Sequence, residues 1–195
     1  MTTLRLTLAS LLFAGAAAQA AVIGPGQIAP STSLPYFTFG ALNFTVDQLA
    51  DGIDNDQPVY NGFASNGIVS GRITLTLDQA YNLSDFVLWN DVNVSAEGVR
   101  TFELTFLDGA GQSLGSTGTL SAVSQVAPQT YSFGAGVNGV KTVQLDVYTS
   151  SLQIEIRELA FNGVSAVPEP ATIGTMLAGL AGVFARIRAR RLRRD

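Results

Sequence analysis

The 195-residue chain contains no cysteine and no histidine. Without cysteine it has no disulfide framework, no thiolate metal centre and no thiol nucleophile. Without histidine, the Ser-His-Asp triad, the Cys-His pair and the histidine-ligated zinc site are excluded as well. Charged residues are only 13% of the chain, and basic ones are scarcer still. Between Ala21 and Pro170, Arg72, Arg100, Lys141 and Arg157 stand against fourteen Asp and Glu. That body carries a surplus of ten negative charges, which the overall formal charge of -4 conceals. A phosphate backbone would be repelled by it, so nucleic acid is not the expected partner. No P-loop or dinucleotide fingerprint occurs. Carboxylates are the one catalytic resource left, as in glycoside hydrolysis, and nothing in their spacing singles out a pair. The chain reads as non-catalytic.

What is present is concentrated at the two ends. Residues 1–20, MTTLRLTLASLLFAGAAAQA, place one basic residue (Arg5) before an apolar stretch from Leu6 to Ala18, with small residues at Ala18 and Ala20. This is the layout of a secretory signal peptide, cut by signal peptidase after Ala20 or Ala21. At the other end, Arg186, Arg188, Arg190, Arg191, Arg193 and Arg194 fall within the last ten positions. They follow an uncharged apolar run from Ala171 to Ala185. As a helix that run is roughly 22 Å long, against about 30 Å of hydrocarbon. Val167, Ile187 and snorkelling arginine stems make up part of the difference. The expectation is a transmembrane helix over 171–187 and an Arg-rich cytoplasmic tail over 188–195 that acts as a stop-transfer signal, with the body outside. Residues 165–170 form the linker. Its Pro168, Glu169 and Pro170 favour an extended, exposed elbow suited to a protease.

The order Pro168-Glu169-Pro170, short apolar helix, terminal arginine cluster resembles the PEP-CTERM sorting signal. The resemblance implies recognition by an exosortase, a membrane transpeptidase-like cysteine protease that removes the tail. It further implies export from a bacterial cytoplasm, transient anchoring in the inner membrane, and passage to the cell surface or the exopolysaccharide matrix of a biofilm. The alternative is a C-terminal anchor that is never cut, which leaves a periplasmic domain on the membrane.

The body between them reads as all-β. GRITLTL alternates Ile73, Leu75 and Leu77 with Arg72, Thr74 and Thr76, and RTFELTFLD alternates Phe102, Leu104 and Phe106 with Thr101, Glu103 and Thr105. KTVQLDVYT sets Val143, Leu145 and Val147 inward, and LQIEIREL sets Leu152, Ile154 and Ile156 inward with Gln153, Glu155 and Arg157 outward. Period two in short runs between Gly, Asn and Ser predicts an antiparallel sandwich with one wet face per sheet. Further strands are expected at 36–46, 85–90, 113–120 and 129–133. About eight strands over 36–164 predict a jelly-roll-like sandwich, preceded by a flexible, Pro/Gly-rich lead-in over 21–35.

Motif order adds a second resemblance. LADGIDND, then GRITLTL, AYNLSDFVLWND, GVRTFELTFLDGAG and VQLDVYTSSLQIEIREL are similar in sequence to the discoidin-like, galactose-binding-like domains, over about residues 39–163. The chain departs from them in lacking a tryptophan after the Asp-Gly loop and in lacking their paired cysteines. The resemblance implies a structural calcium ion held by Asp51 and Glu158, with Asp54, Asn55 or Asp56 nearby. Three aspartates within DGIDND are compatible with an oxygen-liganded cation and do not fit an EF-hand. They fit an ordinary polar turn equally.

A sugar would need an aromatic platform. Trp89, the single tryptophan, reads as a core residue or as a rim contact, since tryptophan is mostly buried. Tyr60 and Phe63 lie in the glycine-flanked loop VYNGFASNG and divide evenly between loop packing and a binding rim. Arg100 either supports the sandwich or meets a sugar hydroxyl. Two function classes stay open: a surface protein that binds exopolysaccharide or another glycan, and a self-associating structural component of the envelope. Exposed edges or apolar patches would mark the second, and a concave aromatic rim the first.

Overall fold

Alternation in three of the four strongest runs becomes the inner surface of a two-layered antiparallel sandwich. The computed structural model describes residues 20–54, 61–90, 98–123, 125, 127–150 and 152–166. The strands are β1 (Ala21–Ile23), β2 (Ile28–Thr32), β3 (Thr38–Phe39), β4 (Leu42–Asn43), β5 (Phe63–Ala64), β6 (Gly71–Asn90), β7 (Val99–Leu107), β8 (Ser113–Ser116), β9 (Leu120–Ser121), β10 (Gln129–Ser150) and β11 (Glu155–Ser165). A 3-10 helix, Val46–Ala50, follows the β3–β4 hairpin. The main ladder runs β1-β11-β6-β10-β7-β8, with β2 on β6, β5 on β11 and β9 on β7.

One ladder makes two layers because β6 and β10 each pass through both. The first half of β6 pairs with β2 and with the end of β10, whereas its second half pairs with β11 and the start of β10. Between the pairs Thr142↔Thr76 and Val140↔Tyr81 the extra residues lie on β6 and form the corner. Between Ser132↔Asp85 and Val137↔Leu83 they lie on β10, in a bulge that bends the strand. Gly134 (φ 64°) and Gly136 (φ 79°) take the left-handed conformations there, and a Cβ on Gly136 would meet the Leu83 carbonyl at 3.0 Å.

Ile73, Leu75, Leu77, Phe102, Leu104, Phe106, Val143, Leu145 and Val147 are all buried, as their alternation requires. Phe86 lies among Phe102, Tyr131 and Phe161, with ring centroids 5.7, 6.1 and 5.4 Å away, and joins the two layers.

Three expectations are corrected. The lead-in over 21–35 is not loose: β1 and β2 are edge strands, and Ile23 and Ile28 are core residues. Pro30 is tolerated because β2 pairs only with β6, so its missing N–H faces outward. The runs at 71–77 and 85–90 are one strand, as are 129–133 and 141–149. Finally, β11 has no wet face over its first half. Glu155, Arg157 and Glu158 are buried beside Ile154 and Ile156, while Leu152, expected inward, is 58% exposed. The 3-10 helix explains this: it packs on β11, while β5 pairs along the edge of β11, so the face that alternation would leave to water is covered.

Candidate functional site

The covered end of β11 is where the sequence-selected carboxylates meet. Asp51 opens an Asx turn: its Oδ1 accepts the Ile53 amide at 2.9 Å, and Asn61 Nδ2 donates to both its oxygens at 3.3 and 3.2 Å. Gly52 (φ 86°) makes the turn, and a Cβ there would lie 2.9 Å from Pro25 Cγ. Gly62 (φ 140°) brings the returning chain onto β11, so closely that a Cβ would lie 2.4 Å from the Ile156 carbonyl oxygen and 2.6 Å from Arg157 Cα. Only glycine fits such an approach.

Glu158 lies under this turn, 3% exposed. The Asp51 and Gly52 amides lean towards its carboxylate and favour the charged form, but neither oxygen receives a hydrogen bond of ordinary geometry. Burial first, then the Asp51 and Asp54 charges, push its pKa up to about 8. A buried carboxyl without a donor costs stability whenever it ionises. It is therefore either protonated or matched by a cation.

The fold thus brings Asp51, Asp54 and Glu158 into one electrostatic neighbourhood, and Asp56 lies outside the described residues. Among the described residues no three carboxylates converge as a complete metal cage. An oxygen-liganded cation fits the orphaned Glu158 carboxylate and the acidic turn above it, provided that carbonyls or water complete its shell.

The aromatic candidates separate. Phe63 is fully buried in the core, opposite Ile156, so it lines no rim; the covering loop drives it inward. Trp89 is half-buried directly opposite Glu158, and paired residues share a sheet face. Arg100 is exposed at the start of β7. Asn90, not singled out in the sequence, holds that neighbourhood together. Its side chain donates to the Val99 carbonyl at 2.8 Å and accepts the Val99 amide at 2.9 Å, which ties Trp89's strand to Arg100's. A lone Asn ending an apolar strand run was the available signal. Tyr60 lies outside the described residues.

A second concavity was not anticipated. Where β10 bulges away from the layer above it, Phe106, Ser116, Thr117, Leu120, Ser132, Phe133 and Val137 line a cleft of about 280 Å³. The Phe106 and Phe133 rings meet edge to face at 4.9 Å, and three hydroxyls rim the opening. On the neighbouring outer face, Arg72 forms a bidentate pair with Asp146 (2.6 and 2.8 Å). The Tyr148 hydroxyl donates to Glu103 Oε2 at 2.6 Å and holds that carboxyl below the usual carboxylate range.

Residues 166–194 match the model of the PEP-CTERM protein-sorting motif. The chain carries a PEP-CTERM sorting signal. This motif begins where β11 ends, and Pro168, Glu169, Pro170, the 171–187 segment and the arginines all lie outside the described residues, as does the 1–19 stretch. No helix among the described residues is long and apolar enough to cross a membrane. For the body, no curated protein is detectably similar in sequence, but solved structures are similar in fold. The family 32 CBM from C. perfringens NanJ, solved in complex with galactose, superposes with a TM-score of 0.59 at 11% identity over 73% of this chain and 98% of its own. The F5/8 type C domain of a Bacteroides fragilis protein gives 0.56 at 12% identity over 75% and 98%. A fucose binding module from Streptococcus pneumoniae gives 0.54 at 12% identity over 72% and 96%. The body of this PEP-CTERM chain has the galactose-binding-like sandwich fold.

Proposed function

We propose that this chain is a non-catalytic, exported cargo of an exosortase, delivered to the cell surface or exopolysaccharide matrix, where its sandwich binds a glycan. The observation that carries the reading is the junction itself: a sorting motif begins directly after the last strand of a fold shared with carbohydrate-binding modules. Signal peptidase would remove 1–20, and the exosortase would act near the Pro168-Glu169-Pro170 elbow. Acidic charge on the body favours a neutral glycan over a polyanionic one.

Two surfaces compete as the sugar site. One is the loop-bearing rim with Trp89 and Arg100, and the other is the cleft with Phe133 and its hydroxyls. Calcium would be structural. Glu158, Asp51 and Asp54 would hold it, and it would supply the positive charge that lets Glu158 stay ionised in the interior. Retention of the purified body on the exopolysaccharide of the producing cells tests the proposal. Trp89→Ala or Phe133→Ala should release it, and no retention on any surface polymer would refute glycan binding.

A self-associating structural role has its own supporting observation. The β3–β4 hairpin exposes Phe39 (70%) and Leu42 (39%), and edge strand β8 is exposed throughout. Such features invite pairing with another copy. Concentration-dependent oligomers abolished by Phe39→Ser would favour this reading.

A further inference from the structure

Ala21 and Ala166, the described residues next to the two proposed processing sites, lie at one end of the molecule. Strand β1 begins at Ala21, the first residue left by cleavage after Ala20, and it pairs antiparallel with the end of β11: Ala21↔Gly163, Val22↔Asn162, Ile23↔Phe161. Its anchoring is firm, since Ile23 is 1% exposed. The exit of β11 is fixed at the same place. The Ala166 amide donates to the Ala80 carbonyl at 2.9 Å, on the corner where β6 passes between layers. Beside that corner runs the Gly24–Gln27 turn, tied to it by the Asp78 amide donating to the Gln27 carbonyl at 2.8 Å. The 108–112 turn after β7 lies at this end too, because Leu107, Thr142 and Thr76 are in register.

At the opposite end are the start of β11, the Asn90–Val99 clamp, and the 65–70 and 150–154 segments. These are joined by Ile154 N to Ile68 O (2.9 Å) and Ser150 N to Val69 O (3.0 Å). Ten steps along β11 separate the two ends by about 30 Å.

We infer that the membrane-held precursor stands on the bilayer on this arched end, with leader and tail leaving side by side and the loop-bearing end pointing outward. The inference rests on the proposed reading of both termini as membrane segments. Four residues, five Cα-to-Cα steps, join Ala166 to the apolar run at Ala171, a reach of at most about 18 Å. That tether is shorter than the sandwich is long, so the end with Trp89 and Arg100 cannot fold back to the lipid without inverting the domain. Removal of the leader leaves the amino group of Ala21 beside the strand that feeds the elbow, so both cuts are made at one face of the domain.

Because the chain has no cysteine, single reporters test this cleanly. Gly109→Cys lies in the arched-end turn, where a Cβ meets nothing within 4 Å. Leu152→Cys lies at the other end and is 58% exposed. The full chain is reconstituted into phosphatidylethanolamine/phosphatidylglycerol vesicles, floated, labelled with a fluorophore at either position, and quenched by headgroup-attached nitroxide lipid. Severalfold stronger quenching at position 109 than at 152 is expected. Equal or reversed quenching in floated protein overturns the orientation alone. Failure to float removes the membrane-segment reading and the inference with it. Val22→Cys with Asn162→Cys should also form a disulfide in the floated protein, as directly opposed strand residues can. Its absence would show that β1 is not docked and that the leader leaves elsewhere.

Discussion

Glu158 should make this protein lose stability as pH rises, the reverse of ordinary acid denaturation. In the unfolded chain it titrates near the usual glutamate value, whereas in the fold its pKa is about 8. Between those limits the folded state holds a proton that the unfolded state has released, so stability falls with rising pH. The contribution is complete below the unfolded pKa and lost as pH passes the folded one. At about 1.4 kcal/mol per unit, the full interval is worth at most about 5 kcal/mol. Partial relaxation and water entry bring the expressed loss to roughly 2–3 kcal/mol. For a body of this size that is a fall in Tm of about 6–12 °C between pH 5 and pH 8.5.

The assay is thermal unfolding of the tail-less body in EDTA across that range, wild type against Glu158→Gln. The difference between the two cancels the other carboxylates. Wild type should show the fall, and Glu158→Gln should be nearly flat. If calcium is the intended partner, millimolar calcium should restore wild-type Tm chiefly at pH 8.5, by about 2.7 kcal/mol at a hundredfold excess over Kd, and should not help Glu158→Gln. Parallel pH curves for the two proteins would refute the account of the buried carboxyl. A flat calcium response at pH 8.5 would refute the cation.

Two stability predictions follow from the packing. Gly62→Ala should cost more than about 2 kcal/mol by denaturant titration, because its Cβ collides with β11 backbone at a left-handed φ; Gly109→Ala, with open space around it, should fall within about 0.5 kcal/mol of wild type. Phe86→Ala removes the ring shared by both layers and should cost about 3–5 kcal/mol, read as a lower midpoint with an unchanged slope.

The sandwich was legible because alternation is a local property. Ile73, Leu75 and Leu77, or Phe102, Leu104 and Phe106, announce a buried face whatever their partners. Alternation does not say whether the other face will be covered. Glu155 and Arg157 read as outward, and Phe63 as divided between packing and a rim, because what buries them is not written in their own local pattern. Ala21–Ile23 and Ile28–Thr32 looked loose because their pairing is supplied by β11 and β6, not by their own composition. The cleft depends on a bulge in β10 whose only trace is Gly134 and Gly136. Motif order, by contrast, singles out Asp51 and Glu158 from distant parts of the domain, and the fold sets the Asp51 charge near the Glu158 carboxyl. The sorting motif was legible outright, since its signal lies in the order of its parts and needs no fold.

Export and tail removal are the centre of the account, and intact mass of the protein recovered from producing cells and their matrix tests them most directly, with and without Glu169→Ala. The account predicts a matrix form that starts at Ala21 or close to it and ends near the Pro168-Glu169-Pro170 elbow, and its loss in the variant. A protein that keeps its arginine tail in both cases would contradict it, leaving a domain permanently held at the membrane.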